Sequence, residues 1–495
     1  PQEPLKLEIK SNMMVFLSVV YVVGEWLIRI SALFTVTRRR QPAAALAWLA
    51  VIFFHPWIGL IFYVLMGESR LIRRHSSDYA DKARAVAAVQ PYDGIRDLTP
   101  DVRRDIFQPA IDNSMQPLAE LTEKVGEMPV LGGNGMIMIS ETKMLIDRLI
   151  ADIGAAARSV HLLYYIFEND ETGHRVSEAL IGAARRGLKV RLLADAIGSK
   201  AFLKAPLPRQ LVMAGVEVHP ILPVKLFRSK LRRMDLRNHR KLAVIDGCIG
   251  YTGSHNIVNA SYGHKDLEWH DMSVRITGAA VMNLQQVFLT DWYFSTGTMI
   301  EGPDIYPTPQ VSGDVVIQVI PSGPVYANQG LQNIVVEAIH MARRHVIITS
   351  PYLAPDEPSL LALKLAVLQG VKVDIVVPKR SDQIMAGACG RAHYEDLLES
   401  GVNLYLYKPG LSHANTKSVD DEVGMIGSGN FDIRSFFLNF ELNLLFHGGI
   451  AAAEIRFQQR QYMEESEKLD LRAWRKRPAM VKRLENAAKL MAPLI

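Results

Sequence analysis

The sequence predicts an α/β protein with two similar α/β domains in tandem, related by a pseudo-two-fold axis and preceded by an N-terminal transmembrane helical hairpin. Three observations predict it. Two apolar stretches of bilayer length open the chain. Strand-like and helix-like segments alternate through the remainder. The order of those segments, and one motif within them, occurs twice.

At 495 residues the chain exceeds one ordinary core, so several domains are expected. It is 49% hydrophobic with a mean hydropathy of +0.07, apolar for a soluble enzyme but too polar for a polytopic transporter. A globular body with a few membrane segments fits both values. The net charge of +5 and pI of about 9.0 suit anionic partners, phospholipid or nucleic acid, without separating them. Two cysteines, Cys248 and Cys389, support neither a disulfide framework nor a thiolate metal site, and are read as buried small apolar residues. A start at Pro1 is read as a processed or tagged terminus.

Residues 1–70 form the expected membrane hairpin, with helices at about 13–36 and 42–66 joined by a short basic link. A signal peptide would carry one shorter apolar region and a small-residue cleavage site. Glu25 and Arg29 lie four apart on one helix face, where they can pair. Pro56 should kink the second helix. Arg38, Arg39 and Arg40 in the link are outnumbered by Lys6, Lys10, Arg70, Arg73, Arg74, Lys82 and Arg84 on the other side. That bias places both termini, and the catalytic body, in the cytoplasm.

Residues 71–135, ending in the turn-like LGGNG, read as a connector. The first α/β domain is expected over 136–310. SVHLLYYIF (159–167), LKVRLLAD (188–195) and GVEVHPIL (215–222) read as strands, and GHRVSEALIGAARRG (173–187) as a helix closed by glycine. The second domain, 311–495, repeats the order. HVIITSPYL (345–353), VKVDIVVP (371–378) and GVNLYLY (401–407) are strands, and PSLLALKLAVLQG (358–370) is a helix. The alternation implies a substantially parallel sheet. The repeat is too long for a solenoid unit, so a site between two similar domains is expected.

NHRKLAVIDGCIGYTGSHN (238–256) and SHANTKSVDDEVGMIGSGN (412–430) align in register. His239 matches His413, Asp246 matches Asp420, Ser254 matches Ser428 and Asn256 matches Asn430, each pair at one constant offset. On a strand His239 and Lys241 share a face. A histidine beside a cation suits a phosphoryl group: the lysine neutralises non-bridging oxygens, and imidazole attacks phosphorus or moves a proton. Asp246 falls on the other face by parity and is given a bracing role. Ser254, Asn256, Ser428 and Asn430 are candidates to hold phosphate oxygens. In the second copy Asn415 stands where the lysine belongs, and Lys417 shares its strand face. Losing a cation in a dry site costs about 2–4 kcal/mol of transition-state stabilisation. Three readings stay open: a change engineered to slow turnover, tolerance of Asn415 with Lys417 reaching back, or lost activity.

This duplicated H-x-K-x4-D pattern resembles the signature of the phospholipase D superfamily, over residues of about 135 to 490. With the hairpin, FEND (167–170), SGNFDIRS (428–435) and FELN (440–443), the chain most resembles the bacterial cardiolipin synthases. The resemblance implies two phospholipase D-like domains with one active site at their interface. One histidine becomes a phosphohistidine and the other serves as acid, then base. No metal and no cofactor is implied. It also implies a carboxylate beyond each histidine that fixes its tautomer; Glu268 after His239 and Glu441 after His413 lie at nearly the same interval. His239, Lys241, Asp246, His413, Asp420, Glu268 and Glu441 are thus the catalytic candidates. Asn415, Lys417 and the Ser–Asn pairs are the substrate-binding ones.

The reaction implied converts two phosphatidylglycerols to cardiolipin and glycerol, with His239 as nucleophile by analogy and His413 as acid and base. The implied setting is a bacterial inner membrane, crossed more than once. Alternatives kept open are a phosphatidylserine synthase, a phospholipase D, and a catalytically impaired lipid-binding protein, for which Asn415 is the best support. The run KLFRSKLRRMDLRNHRK (225–241), with eight Lys or Arg and one acid, is either a solvated face or a surface that draws anionic headgroups. It offers Phe227 alone for stacking, and the hairpin argues against a soluble nuclease, so no nucleic-acid partner is expected. A homodimer through the helices is compatible with the sequence.

Overall fold

The computed structural model describes residues 3–38, 42–64, 69–89, 98–223, 236–263, 266–302, 305–326 and 330–490. Arg39, Arg40 and the stretch 225–235 of the basic run lie outside the described residues. The chain divides into two compact units, one holding the N-terminal 75 residues and the other residues 76–223 and 236–495.

In the first unit a long helix, Glu3–Thr37, packs beside two shorter ones, Pro42–Phe54 and Pro56–Phe62. Within the long helix Asn12–Thr37 has the length and apolar character needed to cross a membrane. The expected second span is broken at His55, whose φ of −135° and ψ of 78° leave the helical region. Pro56 causes this: it has no N–H to donate and its ring excludes a continuous helix. One membrane-length helix, rather than two, is therefore found among the described residues. Glu25 and Arg29 do pair, at 3.2 Å. Arg29 also donates through Nε to the Phe53 carbonyl at 3.1 Å, one of the acceptors at the end of the interrupted helix. Ala32, Val36, Ala45, Ile52 and Tyr63 form the apolar seam between these helices, while Phe16, Leu27 and Phe34 stay exposed.

The second unit is organised on one fifteen-stranded sheet. Two antiparallel strands, Val130–Ile139 and Val315–Ser322, meet at its centre. Outward from the first come Ser273–Thr277, Ile249–Gly253, Lys241–Ile245, Ser159–Tyr164, Lys189–Asp195 and Glu217–Ile221. Outward from the second come Glu441–His447, Val423–Gly427, Thr416–Val419, His345–Thr349, Lys372–Pro378 and Asn403–Tyr407, then Ser466–Lys468 at the edge. Seven strands follow one another in the same order on each side, which is the topology of an internal two-fold. The sheet is mixed rather than substantially parallel: four of its neighbouring pairs are parallel, two at each outer end. Those are the strand–helix–strand crossovers that the alternating pattern exposes; among the inner strands Lys241–Ile245 with Ile249–Gly253, and Thr416–Val419 with Val423–Gly427, form hairpins.

LGGNG lies inside the central strand Val130–Ile139, not in a turn. Pairing with Val315–Ser322 shifts register between Leu131 and Asn134, and the Asn134 amide fills the bulge by donating to Leu131 and Gly132 carbonyls and across to Val315. A Cβ on Gly132 would sit 2.3 Å from the Asp105 carbonyl oxygen, so the glycines mark close backbone approach. The helix Ala280–Thr296 is buried on nearly every side against the inner strands, and one apolar cluster runs through Leu242, Phe288, Val319 and Leu444 across the centre. Both motif aspartates close tight turns in left-handed backbone, with φ of 54° at Asp246 and 50° at Asp420. Asp246 accepts from the amides of Ala157, Arg158 and Ser159; Asp420 accepts from those of Arg343, Arg344 and His345. They tie strand turns together and stand at the far end of their strands from the histidines.

Candidate active site

His239 precedes the strand Lys241–Ile245, and His413 precedes Thr416–Val419. Each is pinned to the other half by its backbone. The His239 amide donates to the Phe440 carbonyl and the His413 amide to the His270 carbonyl, both at 2.9 Å. This seating hands each histidine a carboxylate from the opposite half. His239 Nδ1 lies 3.0 Å from Glu441 Oε2, and His413 Nδ1 lies 2.6 Å from Asp271 Oδ1. Both carboxylates are buried, and each accepts a hydrogen bond from an Nδ1–H, which leaves Nε2 as the free ring nitrogen.

Glu268 is exposed and is not the second orienting acid; Asp271 is. The chain runs further from Ser254 to Asp271 than from Ser428 to Glu441, so a constant interval points to the wrong residue. The signal lay in the local pattern. Ser254 Oγ donates to Asp271 Oδ1 at 2.6 Å and accepts the Met272 amide; Ser428 Oγ donates to Glu441 Oε2 at 2.5 Å and accepts the Leu442 amide. Each acid opens an apolar strand, DMSVRI or ELNLLF, and each motif serine locks it. Ser254 and Ser428 are thus committed to the carboxylates rather than to phosphate oxygens. Asn256 and Asn430 do face the cavity, Asn256 through an amide that also accepts from Ile166 N at 3.0 Å.

Lys241 places Nζ 3.0 Å from His239 Nε2 and donates to the His239 carbonyl at 2.9 Å. Asn415 takes no part in the cavity wall. It is fully buried, and its amide donates to the Ser428 carbonyl at 3.4 Å. Lys417 is buried as well and donates to the Gly429 carbonyl at 3.0 Å. The two side chains therefore hold the Ser428–Asn430 turn from behind, and the site has a single motif lysine beside a histidine.

Burial and neighbouring charges act on His239, Lys241 and the two carboxylates in different directions. Burial pushes the His239 imidazole below its usual value, against the pull of Glu441, so the ring is neutral near pH 7. Burial brings Lys241 down to about 8, with Glu441 and Asp271 opposing. Burial alone would raise Asp271, but His413 and His255 outweigh it and hold the carboxyl well below the usual range. Glu441 behaves alike: His239, Lys241 and Ser428 overcome its burial and keep it ionised.

Both histidines open into one cavity of about 540 Å³. Tyr165 stands edge-on to His239 with centroids 4.8 Å apart, and Trp269 lies 4.4 Å from the His413 ring. Arg237, Tyr352, Asp432 and Arg434 complete much of the wall. Behind it the buried Arg240 binds Asp291 at 2.7 Å, the Tyr79 hydroxyl at 2.9 Å and the Glu441 carbonyl at 3.1 Å. Asp291 in turn accepts from Asn238 at 3.0 Å, so this ion pair holds both the His239 and Glu441 segments. None of Asp271, Tyr165, Trp269 and the Arg240–Asp291 pair was singled out from sequence; their roles depend on which strands become neighbours. Among the described residues no cluster of His, Cys, Asp and Glu is arranged to hold a metal ion.

Comparison with known proteins agrees with this geometry. The family profile described as cardiolipin synthase, PLD-like domain, matches residues 149–292 and 335–462, and the phospholipase D-nuclease N-terminal profile matches residues 27–68. Cardiolipin synthase A of Edwardsiella ictaluri is 34% identical over 484 residues, covering 96% of this chain and 98% of that protein. Cardiolipin synthase A of Escherichia coli is 33% identical over 482 residues, with the same coverage. The crystal structure of phosphatidylserine synthase from Haemophilus influenzae superposes with a TM-score of 0.57 at 16% identity, covering 77% of this chain and all of that one, which shows a shared fold. Paired histidines, each with a buried carboxylate and facing one cavity on a duplicated sheet, define a phosphatidyl-transferring enzyme of the phospholipase D superfamily. Within that superfamily the chain belongs to the cardiolipin synthase family.

Proposed function

We propose that the enzyme joins two phosphatidylglycerols, releasing glycerol and forming cardiolipin at a bacterial inner membrane. The observation that carries this reading is the pair of carboxylate-bound histidines presenting Nε2 to one cavity. His239 Nε2 attacks the phosphorus of the donor. The bond from phosphorus to the glycerol headgroup breaks, and His413 gives its Nε2 proton to the departing oxygen. A phosphatidyl-histidine remains. His413 then removes the proton of an acceptor's terminal hydroxyl, that oxygen attacks phosphorus, and the P–N bond breaks. One phosphodiester replaces another, so no nucleotide is consumed. Lys241, now against His239 Nε2, transfers its hydrogen bond to a non-bridging oxygen as phosphate enters. The neutral state of His239 supports it as the nucleophile.

The apolar exterior of Asn12–Thr37 supports insertion of the N-terminal helices into the bilayer that holds both substrates. In this reading Pro42–Phe54 and Pro56–Phe62 supply a bent second pass, and the catalytic unit lies on the cytoplasmic side. Turnover of headgroup-labelled phosphatidylglycerol in liposomes tests the proposal. Cardiolipin and glycerol should appear in equal amounts, and a phosphatidyl-enzyme should be trapped from the His413→Ala protein but not from His239→Ala. Release of phosphatidic acid without cardiolipin would make the enzyme a hydrolase instead.

A further inference from the structure

Both phosphatidylglycerols carry a phosphodiester, but only the donor's phosphorus reacts. The acceptor presents its terminal hydroxyl with its own phosphate held three carbons away, and a dry cavity must compensate that second negative charge. Lys241 and the histidines serve the reacting phosphate. Among the described residues, two further cations line the same cavity, one from each half of the sheet: Arg237 and Arg434.

Their placement is specific. The Arg237 carbonyl accepts the Phe440 amide, and Arg434 Nε donates to Asn439 Oδ1 at 3.2 Å, so both flank the Asn439–Phe440 segment. Arg237 is buried and donates to the Leu222 carbonyl at 3.2 Å, yet among the described residues its Nε has no hydrogen-bond partner. Its carboxylate partner, Asp195, lies at 3.3 Å and is already occupied by the amides of Ile197, Gly198 and Asn238. Tyr165 lines the same cavity beside the nucleophile. Its ring packs on His239, and its phenol lies in the field of both Arg434 and Arg237. Both arginines therefore line the same cavity as the nucleophile, where a phosphate tied to the attacking hydroxyl through glycerol can meet them. The wall also holds two carboxylates: Asp382 accepts from the Tyr352 hydroxyl at 2.8 Å and Asp432 from the Ser435 amide at 2.7 Å.

We infer that Arg237 and Arg434 form a second phosphodiester subsite, which holds the non-reacting phosphate of the acceptor lipid and so selects an anionic lipid alcohol over water or a neutral alcohol. The inference rests on the transfer reaction proposed above. A charge-assisted pair of this kind is worth about a tenfold preference or more.

The test supplies the full-length enzyme with phosphatidylglycerol and 1-butanol together, and measures the ratio of cardiolipin to phosphatidylbutanol. Both products arise from one phosphatidyl-enzyme, so the ratio reports acceptor choice alone. Arg237→Gln and Arg434→Gln should each lower the ratio about tenfold, and Arg237→Lys should restore most of it. An unchanged ratio in both glutamine variants overturns the subsite. So does loss of both products in both variants, which would assign the arginines to the donor or to folding. Failure of the unaltered enzyme to release glycerol would instead overturn the transfer reaction itself.

Discussion

Glu441 and Asp271 set the tautomer of the two histidines, and exchanging either for its amide leaves the shape while removing the charge. Glu441→Gln and Asp271→Asn should each lower kcat by about 10³–10⁴, whereas Glu268→Gln, at an exposed side chain that orients neither ring, should leave it within a factor of about two. Steady-state turnover of phosphatidylglycerol decides between them. Lys241 adds a pH dependence. Burial lowers it to about 8, so its ammonium is present below that pH and lost above it. The rate at low substrate should fall as pH rises through about 8, and Lys241→Arg should move that limb upward even where it slows the reaction. Lys417 behaves differently, because it holds the Gly429 carbonyl rather than a histidine. Lys417→Ala orphans that buried acceptor and should cost about 1–3 kcal/mol in thermal stability. The histidines and Lys241 were legible because the motif occurs twice in register, and Glu441 because the family resemblance implies a carboxylate at that interval. Asp271 was not, because an interval counted along the chain ignores the longer loop before it.

At the level of elements, the strands of the outer crossovers were readable from their apolar runs and closing glycines, as in Lys189–Asp195 and Lys372–Pro378. The central strand Val130–Ile139 was hidden by its glycines, whose reason lies in the backbone of Asp105 and Ser312 pressed against them, contacts remote in sequence. The turn aspartates belong to this scale as well. Asp246 satisfies three backbone amides from a left-handed turn. Asp246→Ala removes the acceptor and keeps a side chain where φ is positive, so it should destabilise the fold by about 2–3 kcal/mol. The shape of the pH–rate profile should stay as it was, which calorimetry and kinetics on the same sample would show.

The whole molecule carries several histidines that are neutral because they are buried. Burial lowers His161 to about 3, and His255, His393 and His447 to about 4. The unfolded chain binds protons at these positions from about pH 6.5 downward, while the folded chain does not. Stability should therefore be lost as pH falls from about 6.5 toward 4, and unfolding there should take up protons. Denaturant titrations at a series of pH values would reveal that slope; a flat stability across the window would contradict it. The two-fold order of the sheet was foreseeable from the repeated segments. The exchange of acids between halves was not, since it arises only when the two central strands join the halves into one sheet.

That exchange has a consequence for how such an enzyme changes over generations. Each half lends the other the carboxylate that holds its histidine. Once both are encoded in one chain, however, nothing obliges them to stay identical. One half can keep the lysine beside its histidine while the other trades it for Asn415 and a prop from Lys417. A symmetric ancestor must use the same group for attack and for proton transfer. A fused pair can divide that labour, and in this protein the two motifs are unequal: Lys241 stands against the His239 ring, while Asn415 and Lys417 hold the Ser428–Asn430 turn.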